Sequence, residues 1–518
     1  MEPLMNQETD IFLSVCMIVR DSSRTLRECL ESILPWTDEI VVVDTGSLDD
    51  TPQIADQHGA RLYRFPWIDD FAAARNESLR HARGKWLFWM DSDDTIPADC
   101  GRRLRQLARE DHPESLLGFV MQVHCPGGQA ARDQVTIVDH VKLIRNSPNL
   151  RFEGRIHEQV LSSIRRAEGD VAWTDIYVIH SGADQSPAGR KRKFDRDLRL
   201  LQLDLQDRPD HPFVLFNLGM TFNDMQSHAE AVHWLRRSLA FSLPDESHVR
   251  KAYALLIQSL MAIGWIRDAQ LVSKQALSLF PDDPELWFRR GLLDQQTSRL
   301  NEALQAYTQA IWGESQIRFS SRDPGIQGYK ARHNMALVYS SLGRNDLAEL
   351  QWRSVVHEQP HNREGWRGLR QVLVAQRRFA AMSAECYALK SMPMLMEEWA
   401  CWQGEVHLAR DEREAAEGVL APFIDREGDF DMDAANLQCR ICFDAGSYSQ
   451  AVKILEQIVA ADPEDAAAHH NLGQARLNSG DLERARQSLQ RSLELRPAWP
   501  ATLKSLEEME RAFQQPHS

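Results

Sequence analysis

Three carboxylates close an apolar run in Lys85-Trp86-Leu87-Phe88-Trp89-Met90-Asp91-Ser92-Asp93-Asp94. Two hard oxygen ligands on a short loop, here Asp91 and Asp93, are what Mg²⁺ or Mn²⁺ takes when it also holds a substrate diphosphate. Ser92 between them lets both carboxylates project toward one volume. The plainer alternative is a strand end followed by helix capping, with Asp94 or Thr95 as the cap before Pro97. Two more acids close apolar runs: Asp21 after Ile11–Val19, and Asp44 after Glu39–Val43. A carboxylate at Asp44 suits the base or ribose of a nucleotide, or it forms the turn before Gly46. Arg75 offers a guanidinium to a phosphate or a planar base, or is a solvated helix arginine.

The elements that must hold these residues follow from hydrophobic pattern. Ile11 to Val19 is rich in β-branched residues and reads as a buried first strand. Leu26, Leu30 and Ile33 repeat at helical spacing on a helix that Ser22 or Ser23 can cap and Pro35 stops. Glu39 to Val43 is a second strand. Thr51 caps a helix with Pro52 at its first position, and Gly59 closes it. Arg61 to Phe65, Asp70 to His81 and Trp86 to Met90 read as strand, helix and strand. This alternation predicts a mostly parallel, Rossmann-like α/β sheet, with ligands outside the carboxyl ends of its strands. Neither Gly-x-Gly-x-x-Gly after the first strand nor Gly-x-x-x-x-Gly-Lys is present, which disfavours dinucleotide and P-loop modes. Further on, Cys100–Arg109 reads as a helix, and Gly118–His124 and Val141–Ile144 as strands. Pro126-Gly127-Gly128 between those strands is a hairpin connection or a loop that folds over an acceptor.

A chain of 518 residues implies two or more domains. Its 43% hydrophobic and 26% charged content is that of a soluble protein, and a net charge of −15 disfavours nucleic acid as partner. No apolar run reaches the ~18 residues that span a bilayer, which also disfavours a processive membrane synthase. Met1–Asp10 has three acids and no basic side chain, unlike a signal peptide. Eight scattered cysteines fit a reducing cytoplasm. Cys439-x-x-Cys442 lacks a second pair and reads as helix packing.

Val41-Val42-Val43-Asp44-Thr45-Gly46-Ser47, Phe71-Ala72-Ala73-Ala74-Arg75-Asn76 and Asp91-Ser92-Asp93-Asp94, in that order and spacing, resemble family 2 inverting glycosyltransferases of the GT-A fold. The nearest likeness is to the branch with a tetratricopeptide tail that includes the sublancin-type peptide S-glycosyltransferases. The resemblance covers roughly residues 11 to 180. It implies that Asp21, Asp44 and Arg75 hold the nucleotide of a sugar donor, uridine diphosphate-linked, and that Asp91 and Asp93 hold the metal on its diphosphate. Many relatives carry Asn-Glu where this chain has Asp21. Phe152-Glu153-Gly154-Arg155-Ile156-His157-Glu158-Gln159 resembles the Gly-Arg-Ile-His-Glu segment of the same branch. It is not a zincin motif, because Leu161 stands four residues after His157. Inverting transfer needs one general base on the acceptor, which Glu158 or His157 can supply; otherwise the segment is a polar corner. His180, after Ile176–Ile179, stands where GT-A enzymes often add a third metal ligand.

The remainder repeats. Leu218-Gly219 with Ala231, Gly291 with Ala303, Cys439 with Ala451 and Gly473 with Ala485 hold one register. Gly473 stands 34 residues after Cys439, and about 34 is the tetratricopeptide period. The repeat near Trp366 is degenerate, and Gly313–Gly328 reads as an insertion. Arg190-Lys191-Arg192-Lys193 is a solvated helix start or a contact to a donor phosphate or acidic acceptor. The expected organisation is a tail over 1–10, a GT-A domain over 11–182, and a linker and connecting helix over 183–210. An all-α tetratricopeptide superhelix follows over 211–511, with a tail over 512–518. Its concave surface suits a peptide or protein acceptor or a second subunit, as in a homodimer. The rival to a metal-dependent transferase is a scaffold with a non-catalytic nucleotide-sugar-binding domain. A nucleotidyltransferase would need a Gly-rich loop after the first strand, and Arg20-Asp21-Ser22-Ser23 is not one.

Overall fold

The computed structural model describes residues 10–127, 135–182, 186–313, 321–424 and 430–514. Most of the N-terminal tail, Gly128, residues 183–185 of the linker, 314–320 of the insertion and the last four residues lie outside them. The chain divides into two compact units, Met1–Ala331 and Arg332–Ser518.

The first unit holds nine strands in one sheet: β1 (Leu13–Val19), β2 (Glu39–Asp44), β3 (Arg61–Arg64), β4 (Trp86–Asp91), β5 (Asp94–Thr95), β6 (Leu116–Pro126), β7 (Val135–Arg145), β8 (Asp170–His180) and, much later in the chain, β9 (Ser321–Arg322). Their order is β3-β2-β1-β4-β7-β6-β8-β5, with β9 paired to β7. The first four are parallel, and β7 joins β4 antiparallel. Helices α1 (Leu26–Ile33), α2 (Thr51–Gln57), α3 (Phe71–His81), α4 (Ala98–Arg109), α5 (Leu161–Arg166) and α6 (Pro187–Asp207) intervene.

Both faces of the sheet are covered, so the inner strands are apolar throughout. Trp86, Phe88 and Met90 of β4 join one cluster with α1 and α4. Leu87 and Trp89 point the other way, among residues of α3 and α5. By that alternation Asp91 leaves the sheet on the Trp89 face, beneath α3.

Two local expectations are corrected. Helix α1 starts at Leu26, with Thr25 rather than Ser22 or Ser23 at its N-cap position. The backbone N–H groups of Ser22 and Ser23 are drawn across to Thr51 Oγ1 (2.7 Å) and Asp49 Oδ2 (3.0 Å), with Asp21 at φ +47°. Asp94 and Thr95 do not cap α4; they form β5, paired with Ile179 and His180.

Helix pairs follow in the first unit: α7 (Pro212–Asp224) and α8 (His228–Phe241), α9 (Val249–Ala262) and α10 (Ile266–Leu279), α11 (Pro284–Gln296) and α12 (Leu300–Trp312). The unit boundary falls within α13 (Tyr329–Ser341), which precedes α14 (Asn345–Glu358). The second unit continues with α15 (Arg363–Ala375) and α16 (Phe379–Lys390), α17 (Met396–Ala409) and α18 (Arg413–Leu420), α19 (Met432–Asp444) and α20 (Tyr448–Ala461), α21 (Ala466–Asn478) and α22 (Leu482–Leu495), and α23 (Pro500–Gln514). The small residues sit at helix crossings: a Cβ on Gly291 would lie 2.4 Å from Tyr307, and one on Gly473 2.6 Å from Leu489. The degenerate repeat near Trp366 still forms a helix pair. Cys439 and Cys442 are buried and unpaired, as helix packing requires.

Candidate active site

At the carboxyl end of β4, Arg75 is the centre of a charged lattice. It reaches down from α3, donating from Nη2 to Asp91 Oδ1 at 2.7 Å and from Nε to Glu158 Oε1. Its guanidinium lies 4.3 Å from the Trp89 ring centroid. Burial opposes its charge, but Asp91 and Glu158 outweigh that and hold it well above the ordinary arginine range. Arg75, expected at the nucleotide, is buried between two carboxylates. Its neighbour Asn76 donates to the Phe152 carbonyl at 3.0 Å and accepts from the Phe152 N–H at 2.8 Å. One helical turn thus fixes both ends of the 152–159 segment.

That segment is also pinned from α6. Arg155 Nε donates to Asp207 at 2.9 Å, its N–H reaches Asp204 at 3.2 Å, and its carbonyl accepts from the Phe71 N–H at 2.9 Å. A bridge between Glu153 and Gln159 closes the loop. His157 sits at φ +54° with Nε2 buried and, among the described residues, without a hydrogen-bond partner. Burial holds its pKa below the ordinary histidine value.

The three carboxylates have different fates. Burial pushes Asp91 toward neutrality, but Arg75 and then Lys142 more than offset it, so it stays below the usual carboxylate range. Asp94 is 0% exposed. Its Oδ2 accepts from Lys142 Nζ at 2.7 Å and from the Asp91 N–H at 3.2 Å, and its Oδ1 lies 2.9 Å from His180 Nδ1. Against burial, Lys142 and His180 hold its pKa low. Asp93 has His180 Nδ1 at 3.5 Å, and burial leads in raising its pKa, with Asp91 and Asp94 adding to it. Its carbonyl accepts from the N–H and hydroxyl of Ser181, both at 3.0 Å. The bond to Asp94 raises the pKa of His180, despite burial.

Asp91, Asp94 and His180 offer three donor atoms within 4.8 Å of one another. Carboxylate oxygens and an imidazole are a donor set that Mn²⁺ and Mg²⁺ accept, so the residues present fit a divalent ion. Asp91 and His180 were expected there. Asp93, expected as the third, lies outside that tight group but has its Oδ1 3.5 Å from the same His180 Nδ1, while Asp94 inside the group is already engaged by Lys142 and His180. The sequence offered Asp94 only as an alternative helix cap, and Lys142 was not singled out. The signal for Lys142 was a lysine inside the apolar run Val141–Ile144.

The two acids expected at the nucleotide, Asp21 and Asp44, follow or close the neighbouring strands β1 and β2. Asp44 is buried and accepts from the Ser47 N–H (3.0 Å) and hydroxyl (2.5 Å). The Ser47 hydroxyl oxygen accepts from the Asp21 N–H at 3.0 Å, and Asp21 Oδ1 from the Leu48 N–H at 2.8 Å. The turn role of Asp44 is thus realised, and it knits together the loops after β1 and β2. Arg190–Lys193 form the first turns of α6.

Residues 14–179 match the family described as glycosyl transferase family 2, and residues 443–508 match a tetratricopeptide repeat. The chain carries a family 2 glycosyltransferase domain followed by tetratricopeptide repeats. The residues matched to the glycosyltransferase family hold strands β1 to β8, and the edge of their sheet carries the lattice described above. Among curated proteins, the chain is similar to a TPR repeat-containing protein of Synechococcus elongatus, 31% identical over 239 residues, 45% of this chain and 58% of that one. It is also similar to the SPbeta prophage-derived glycosyltransferase SunS of Bacillus subtilis, 24% identical over 251 residues, 47% of this chain and 58% of that one. The chain thus spans somewhat more than half the length of these relatives. No helix among the described residues is long and apolar enough to cross a membrane.

Proposed function

We propose that this chain is an inverting, metal-dependent glycosyltransferase. It would move a sugar from a nucleotide diphosphate, uridine diphosphate first among them, to a hydroxyl or thiol of a polypeptide acceptor. The observation that carries the reading is the convergence of Asp91, Asp93, Asp94 and His180 with the Arg75-bound Glu158 at one sheet edge of a family 2 domain. When bound there by Asp91, Asp93 and His180, a divalent ion supplies Lewis-acid neutralisation of the leaving diphosphate. Asp21 and Asp44 border the space for the nucleoside. Glu158 takes the acceptor proton, and Arg75 fixes the carboxylate in place for that role. His157, buried beside it against α6, shapes the backbone turn that presents Glu158. The repeats suit the extended part of a polypeptide acceptor.

Thermal unfolding with Mn²⁺ and uridine diphosphate, together and separately, tests the donor half of this reading; a ligand of the native state raises its apparent stability. Wild type should shift only with both present, and Asp93→Ala should lose the shift and all sugar transfer. Glu158→Gln should keep the shift and lose transfer by about 10²–10⁴-fold. Full transfer by Glu158→Gln would remove it as the base. Failure of every nucleotide diphosphate to shift wild type would favour a binding scaffold.

A further inference from the structure

Lys142 is 1% exposed and sits on β7, inside the sheet, 4.0 Å from the Trp89 ring centroid. A buried ammonium is costly unless it is paired, and its partner is Asp94 at 2.7 Å. Asp94 is heavily engaged: its Oδ2 takes both Lys142 and the Asp91 N–H, and its Oδ1 lies against His180, which leaves at most one of its roughly four lone-pair sites open. Arg75 does the same for Asp91 Oδ1. Among the described residues, Asp93 has neither a lysine nor an arginine at its carboxylate, and its ion-pair partner is His180 at 3.5 Å. Two of three clustered acids are therefore neutralised by cations built into the protein.

Resting on the metal-dependent reading above, we propose that Lys142 is a positioning residue that acts as a resident cation. It occupies Asp94 so that Asp94 is not a ligand for metal, and it keeps the site's hold on free divalent ion weak. A nucleotide diphosphate then has to supply the missing anionic oxygens, which couples metal capture to donor binding. The coupling is reciprocal: metal and nucleotide each strengthen the other's binding by the same factor.

The experiment is an Mn²⁺ titration of the full chain by electron paramagnetic resonance, with and without uridine diphosphate. Wild type should bind Mn²⁺ weakly alone and at least tenfold more tightly with the nucleotide. Lys142→Met leaves a buried carboxylate uncompensated and removes a repelling charge. It should therefore bind free Mn²⁺ about tenfold more tightly than wild type, and Mn²⁺ alone should raise its Tm. Lys142→Arg should restore the wild-type affinity. The neutral pair Asp94→Asn/Lys142→Met should bind free Mn²⁺ within about threefold of wild type, and it serves where Lys142→Met does not fold. An unchanged or weakened affinity in Lys142→Met would overturn the proposal, as would a tenfold loss in the neutral pair, which would make Asp94 a ligand. No Mn²⁺ on wild type even with nucleotide would instead refute the metal-dependent reading.

Discussion

Arg75 links two motifs that stand more than 80 residues apart in the chain, and its environment sets what its loss should do. Truncation to Met would leave Asp91 and Glu158 without their partner; breaking a fully buried pair costs about 3–5 kcal/mol, and the cost here is smaller because a third of the Asp91 side chain is exposed to solvent. Urea denaturation of Arg75→Met, followed by tryptophan fluorescence, should show that loss. Arg75→Lys should not restore activity, because an ammonium cannot span both carboxylates as Nε and Nη2 do; wild-type transfer by Arg75→Lys would contradict this. At this scale Asp91, Asp93 and His180 could be picked out because polar residues closing apolar runs are visible in a linear pattern, and Arg75 and Glu158 because their short motifs resemble those of family 2 glycosyltransferases. Lys142 stands out only as a lysine inside an apolar run, and its pairing with Asp94 could not be read, because it depends on which strand lies beside β4. That adjacency, antiparallel β7 against parallel β4, is long-range and leaves no local trace.

Among the elements, the repeat helices were legible because small residues recur at a fixed period. The structure gives the reason in atoms: Gly291 of α11 faces Tyr307 of α12 with no room for a methyl group. An Ala in place of a helix-interior Gly ordinarily gains up to about 1 kcal/mol. Here the sign should reverse, with Gly291→Ala losing about 1–3 kcal/mol through overpacking. Gly418 of α18 has nothing within 4 Å of its Cβ position, so Gly418→Ala should raise Tm while Gly291→Ala lowers it. Equal shifts in calorimetry would refute the crossing argument. The two-residue strands β5 and β9 escaped the pattern, since elements so short carry no periodicity. The start of α1 was misplaced because a tertiary partner, the Asp49–Thr51 turn, took the N–H groups of Ser22 and Ser23.

Across the whole molecule, buried histidines set an acid limit on stability. Burial brings His140, beside the Trp89 ring, and His248, packed against Phe213 and Phe216, down to about 4. A folded pKa below the unfolded value of about 6.5 means that the unfolded chain binds the proton first. Stability is therefore full above pH 6.5 and falls as pH drops toward 4, by about 3 kcal/mol per histidine once both states are protonated. A Tm profile from pH 7 to pH 4 should show this decline, and His248→Phe should flatten it; a flat wild-type profile would refute the assignment.

The strand β9 belongs to the insertion after α12, yet Ser321 and Arg322 complete the edge of β7 at Val138 and Ile137, on the side that β4 leaves open. Val138 leaves the ribosome roughly 180 residues before its partner does. At about 5–20 residues per second, that gap is on the order of 10–40 s. For that interval the nascent sheet carries an unpaired edge beside its carboxylates, the kind of edge that pairs with other chains. The transferase domain is finished only when three pairs of repeat helices have been synthesised, so the repeats time its maturation as well as extending its surface.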